Sequence, residues 1–250
     1  MLKDSLWANR DLPERHSIEY TVDIDFGPMG KYHAANFSSD NYTSDVSSDL
    51  TRPLAAMMNT PLGKPVFPRR MEVKMTVLRV RKTAEILALR LERHSYKPGQ
   101  TVRGEVLLRP FRAERMTRDV AMTLPEDLPD GQYTLTVSDA YGWLERRRSE
   151  LPHRFEPRTV EQLFQAVKEV VKPRLNRLYA YLAAPAGGLA VGSVELEYLP
   201  GSLAEVLSRT APTETKGYKR SIWAEFQTDY VLSGKASAQF VVEKEPRRRH

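Results

Sequence analysis

Between Ala84 and Val137, apolar and polar residues alternate in short runs, each closed by a turn that carries a proline or glycine. Ile86, Leu87, Leu89 and Leu91 precede Lys97-Pro98-Gly99-Gln100, and Val102, Val106, Leu107 and Leu108 follow it. After Val120, Met122 and Leu124 comes a second turn, Leu128-Pro129-Asp130-Gly131, and then Tyr133-Thr134-Leu135-Thr136-Val137. A strand shows its two faces to different surroundings, so a period of two broken at short intervals by Pro-Gly and Asp-Gly marks a set of paired strands. The stretch predicts half of an immunoglobulin-like or fibronectin-like β-sandwich, and the chain as a whole is expected to be mainly β with two or three short helices inserted. Modules of this kind bind, space or scaffold, and the fold alone specifies no chemistry.

The remaining segments fit around that centre. Residues 1–15 are polar and read as an extended arm that carries Trp7. From 16 to 82 a β-rich part with one helix is expected. Ile18, Tyr20, Val22, Ile24 and Phe26 alternate with polar partners, a turn follows at Gly27-Pro28-Met29-Gly30, and a partner strand runs through Phe37. Ser38 to Ser48, which includes Tyr42, reads as a capping loop before a helix that starts near Thr43 or Asp49 and ends at Met58, with Pro53 disturbing it. Met71, Val73, Met75 and Val77 mark a further half-buried strand. The sandwich segment occupies 83–140, and an α+β part from 141 to 250 completes the sheets. Within it, Tyr141 to Pro157 reads as a charged connection. Thr159 and Gln162 form a capping-box pair for a helix that Pro173 stops. A strand from Leu175 to Ala183 leads to an Ala184-Pro185-Ala186-Gly187-Gly188 turn, a strand through Tyr198 and a short helix over Leu203 to Leu207. A final hairpin, Ser221 to Leu232 and Lys235 to Glu243, is expected to turn at Ser233-Gly234.

At 250 residues the chain buries enough surface, roughly 70–75% of what its unfolded form exposes, to fold without staples. It has no cysteine, which excludes disulfides and thiolate metal sites. No stretch approaches the run of about 20 apolar residues that spans a bilayer, and Met1 to Trp7 lacks the apolar core of a signal peptide. That reads as a soluble chain, or as a fragment whose export signal stands upstream.

Residues that carry chemistry are sparse. No Gly-x-Ser-x-Gly turn exposes a nucleophile, and Gly192-Ser193 and Gly201-Ser202 sit where turn and capping roles suffice. The histidines at 16, 33, 94, 153 and 250 lack ligand spacing. Asp23, Asp25, Asp40, Asn41, Asp45 and Asp49 supply oxygens suited to Ca²⁺ but not the spacing of an EF-hand, so turn and capping roles are the simpler assignment. The net charge of +6 gathers at Arg69-Arg70, Arg146 to Arg148 and Arg247 to Arg249, with acids interspersed, which argues against a nucleic-acid surface.

Four elements carry a family resemblance: Ala84-Glu85-Ile86, Tyr96-Lys97-Pro98-Gly99-Gln100-Thr101-Val102, Leu107-Leu108-Arg109-Pro110-Phe111-Arg112, and Leu124 to Tyr133. Together with Arg177-Leu178-Tyr179, Glu195 to Leu207 and Thr228 to Gly234, they resemble the region downstream of the protease domain in large bacterial proteins of the SpoIVB peptidase family. The resemblance covers most of residues 16–245 and implies envelope or exported proteins. That family's catalytic serine lies in a Gly-x-Ser-Gly context that this chain lacks, so the resemblance carries over no catalytic residue. The expectation is a non-catalytic accessory module, without cofactor or metal, that contacts a protein partner, a peptidase domain or itself. A peptidase remnant and a basic nucleic-acid binder are the alternatives. The contact candidates are Trp7, Tyr42, Trp143, Trp223, Phe226 and Tyr230.

Overall fold

The alternation of Ile18, Tyr20, Val22 and Ile24 becomes the inner face of β1 (Ser17–Asp25), while Glu19, Thr21, Asp23 and Asp25 stand on the other, more open face. The fold is known from a computed structural model, which describes residues 16–39, 42–191, 194–197, 206 and 215–244. A 3-10 turn, Gly27–Met29, returns the chain antiparallel as β2 (Lys31–Ser39), and β3 (Arg70–Leu78) pairs antiparallel along the other side of β1. The inner face of this sheet is closed by Val46, Leu50 and Met57 of α1 (Tyr42–Met58). Phe164, Val167 and Val171 of α3 (Val160–Val171) join them, arriving from more than a hundred residues away. Phe26 and Phe164 meet edge to face at 5.7 Å.

Helix α1 runs without a break through Pro53, the residue expected to disturb it. Proline has no N–H to give to the carbonyl four residues back, which here belongs to Asp49. The Tyr32 hydroxyl of β2 donates to that oxygen at 2.7 Å and replaces the missing helical bond.

The second core lies between two sheets. One has the order β12-β4-β6-β7: β12 (Val231–Ser233), β4 (Thr83–Leu91), β6 (Thr101–Pro110) and β7 (Met116–Thr123). The other comprises β5 (Ser95–Tyr96), β8 (Gly131–Ser138), β9 (Arg177–Val191), β10 (Val194–Glu197), β11 (Thr215–Gln227) and β13 (Lys235–Val242). Ile86, Val106, Leu108 and Val120 from the first sheet pack with Leu135, Val137, Leu178, Leu182 and Phe240 from the second. The described residues are mainly β, as expected. The Lys97 to Gln100 turn also forms, with Gln100 N–H donating to Lys97 O at 3.1 Å.

Three expectations are corrected. The charged stretch after Tyr141 is mostly helical: α2 spans Ala140–Glu150, and a 3-10 turn follows at Pro152–Phe155. It has no continuous apolar stripe to betray it. Asp139 caps it, accepting from Gly142 N–H at 2.8 Å, and Trp143 anchors it. The expected turn over residues 184–188 is instead the middle of β9, which pairs with β11 on both sides of a register shift at residues 184–186 to form a long ribbon. The final two strands are not a hairpin. β11 pairs with β9 and β13 with β8, while the short β12 pairs parallel with β4 in the opposite sheet. Gly234, at φ +96°, makes the switch between sheets, and Asp139 Oδ2 accepts from its N–H at 2.8 Å. Of the expected short helix over 203–207, only Val206 lies among the described residues.

Candidate functional site

Among the described residues β3 is an outer strand of the first sheet, bonded to β1 on one side only. Its register places Met71, Val73, Met75 and Val77 opposite Ile24, Val22, Tyr20 and Ile18, all on the face that the helices cover. The helices pack chiefly on β1 and β2, and on β3 only Val73 and Met75, mid-strand, reach the core they cover, both partly buried. Met71 remains 53% exposed and Val77 40%, flanked by Phe67 at 63% and Val80 at 47%. Four large apolar side chains thus stand exposed on or near a strand edge that pairs with no other described strand, the combination by which sheets recruit further strands. Among the described residues β7 is also an outer strand, but its Val120 and Met122 are buried and Met116, at 37%, is its one exposed large apolar side chain.

The aromatic candidates occupy other positions. Trp143 is 4% exposed, with its ring centre 5.7 Å from Tyr179 and 5.9 Å from Trp223. Trp223 is half-buried on β11 and lies 4.9 Å from Tyr181. Phe226 and Tyr230 pack, partly buried, against the large core. Tyr42 opens α1, and Trp7 lies outside the described residues. Burial and the Glu225 charge push the Tyr179 hydroxyl up to about 12, against its hydrogen-bonding contact with the Arg174 backbone.

A polar cleft of about 170 Å³ opens where α1, α2 and the C-terminal end of α3 meet, and Asp45, Asp49, Arg52 and Tyr141 line it. Asp49 Oδ2 accepts from the Tyr20 hydroxyl at 2.7 Å, and Asp45 accepts from Ser38 Oγ. Burial raises both carboxyls above the usual aspartate range, although these hydrogen bonds oppose the shift. The two acids that α1 gathers here are thereby separated from Asp23 and Asp25, which lie on the outer face of β1 with Asp23 bonded to His33 at 2.7 Å.

A wider groove of about 730 Å³ runs between α3 and β10. In it Glu195 accepts from Arg154 Nε at 2.6 Å and Nη2 at 2.9 Å, and His153 Nε2 lies 2.7 Å from the same carboxylate. Burial works against the charged form of Glu195, but the Arg154 and His153 bonds together outweigh it and hold its pKa below the glutamate range.

The central basic run is committed to the fold. Arg146 Nε donates to Glu150 at 2.6 Å, Arg147 lies 3.4 Å from Glu169 and over Trp143, and Arg148 lies over Phe155. Glu150 is 1% exposed and also accepts from Ser221 Oγ, which ties α2 to the ribbon. Arg247 to Arg249, Ser193 and Ser202 lie outside the described residues. Among the described residues no helix is long and apolar enough to cross a membrane, and no three His, Asp or Glu side chains are grouped to hold a metal.

Comparison with protein-family models, curated proteins and solved structures finds no match for this chain. The contact candidates read from sequence are aromatic, whereas the side chains that present apolar surface along β3 are Met71 and Val77, with Phe67 and Val80 beside them. The alternation from Met71 to Val77 identifies the strand and its inner face. Whether a helix reaches over that face is set by residues remote in sequence, so the exposure itself left no local signal.

Proposed function

We propose that this chain is a non-catalytic accessory module that makes protein contacts through the outer edge and overhanging face of β3. The observation that carries the reading is the exposure of Phe67, Met71, Val77 and Val80 on or near a strand edge left unpaired among the described residues. Full burial of such a side chain is worth roughly 1.5–3 kcal/mol, so covering the exposed half of four of them yields on the order of 4 kcal/mol. Association costs roughly 4–15 kcal/mol, and the strip alone cannot hold a partner. Main-chain hydrogen bonds from an added strand supply the remainder, together with its register.

Two further points support the reading. The segments of the second core keep the alternation of immunoglobulin-like and fibronectin-like sandwiches, which serve widely as contact modules. The resemblance to the region downstream of a SpoIVB-type peptidase domain makes such a domain a natural partner to test. Light scattering on the chain alone, and with a peptidase domain of that family added, provides the test. Association should be observed in at least one of the two and be abolished by Met71→Lys with Val77→Lys. A wild-type chain that stays unassociated in both, or a double variant that associates equally well, would contradict it.

A further inference from the structure

We propose that the occupant of the β3 edge is a second copy of this chain, with the two β3 strands antiparallel about a two-fold axis at Val73. The inference rests on the contact reading above and names its partner. The charges select the register. On the polar face, β3 carries Arg70, Glu72, Lys74 and Thr76, and Glu72 already faces Asp23 across the β1 register. Like charges directly opposite are unfavourable, so on its open side Glu72 favours a cation over a second acid. Its own strand offers Lys74 at 3.1 Å and Arg70 at 3.5 Å along the chain.

Pairing about Val73 sets each Glu72 opposite Lys74 of the second copy, twice by symmetry, with Arg70 opposite Thr76. On the other face it sets Met71 opposite Met75 and Val73 opposite Val73, so the two overhanging strips merge. Moving the axis to Lys74 puts lysine against lysine, and moving it to Glu72 puts glutamate against glutamate. An axis at Met71 would also match charges, Arg70 to Glu72, but would keep only residues 70–72 of β3 within the pairing. An isologous contact of this kind closes the edge on both copies and goes no further.

The absence of cysteine makes the register directly readable. Directly opposed residues of antiparallel strands have Cα atoms about 4.5–5.5 Å apart, inside the roughly 4.4–6.8 Å range of disulfides. Under mild oxidation Val73→Cys should form a covalent dimer at least tenfold faster than Met71→Cys, whose two copies lie four residues out of register. Glu72→Lys and Lys74→Glu should each weaken dimerisation about tenfold, and the two single variants, mixed, should form a heterodimer because their charges again match. Equal cross-linking at 71 and 73, or single variants that dimerise as well as wild type, would overturn the inference. If Val73→Cys gives no dimer while Met71→Lys with Val77→Lys still abolishes binding of an added peptidase domain, the second copy is excluded and the contact reading stands. If neither is seen, both fall.

Discussion

The Tyr32 hydroxyl donates to the Asp49 carbonyl oxygen at 2.7 Å, the one acceptor in α1 that Pro53 leaves without its helical donor. A side chain of the sheet thereby completes a helix across the first core, and sheet and helix are locked at that point. Tyr32→Phe should cost about 2 kcal/mol, the penalty of a buried unpaired carbonyl. The cost should shrink clearly when Pro53 is alanine, whose N–H can return to Asp49. Equal losses in the two backgrounds, measured by urea unfolding, would show that Tyr32 is not the substitute donor.

The same residue's carboxyl makes stability depend on pH. Burial raises the Asp49 pKa in the folded state, so the folded chain binds a proton there more tightly than the unfolded chain. Below the unfolded value, about 3.9, the site exacts no penalty; as pH rises from there through the raised folded value, stability falls. Asp49→Asn keeps an acceptor for Tyr20 and removes the titration. Its stability relative to wild type should therefore rise between pH 4 and pH 7, and a difference that stays flat over that range would refute the assignment.

Glu150 joins α2 to the ribbon through Arg146 and Ser221 while almost wholly buried. Glu150→Ala removes the acid and leaves Arg146 without its ion-pair partner, holding only Ser221 Oγ at 3.2 Å, which should cost about 3 kcal/mol in denaturant unfolding. A loss under half a kcal/mol would place the anchoring of α2 in Trp143 instead.

Gly188 sits where β9 crosses under Tyr218. A methyl group there would lie 2.4 Å from the Tyr218 ring and 2.5 Å from the Leu196 carbonyl oxygen, and the backbone atom cannot yield cheaply. Gly188→Ala should cost about 2 kcal/mol and open the β9 and β11 ribbon to protease before the rest of the chain. Uniform protection along the chain would argue against that crowding.

Local pattern revealed the strands whose partners are near in sequence. β1 and β2 follow from strict alternation and a glycine turn, and β4, β6 and β7 from alternation with turn residues between them, while β8 shows the same alternation although its partners β9 and β13 lie far along the chain. Helix α3 was legible from its cap: Thr159 Oγ1 accepts from Gln162 N–H at 3.3 Å, although Gln162 Oε1 returns to Arg158 N–H rather than to Thr159. What stayed hidden depends on distant residues. α2 is held by the Asp139 cap, Trp143 packing and the Arg146–Glu150 pair rather than by an apolar stripe. Ser233-Gly234 has the composition of a hairpin turn, but Asp139 binds Gly234 and steers the chain into another sheet. The exposure of Met71 and Val77 reflects where two helices end, which no pattern within β3 records.

Backbone amide exchange across residues 70–78, followed as the chain concentration is raised, tests the central claim most directly. β3 amides should slow with concentration, or on addition of a binding partner, while those of the open strand β7 stay unchanged. Exchange in β3 that depends on neither, and that matches β7 throughout, would contradict a contact surface on this edge.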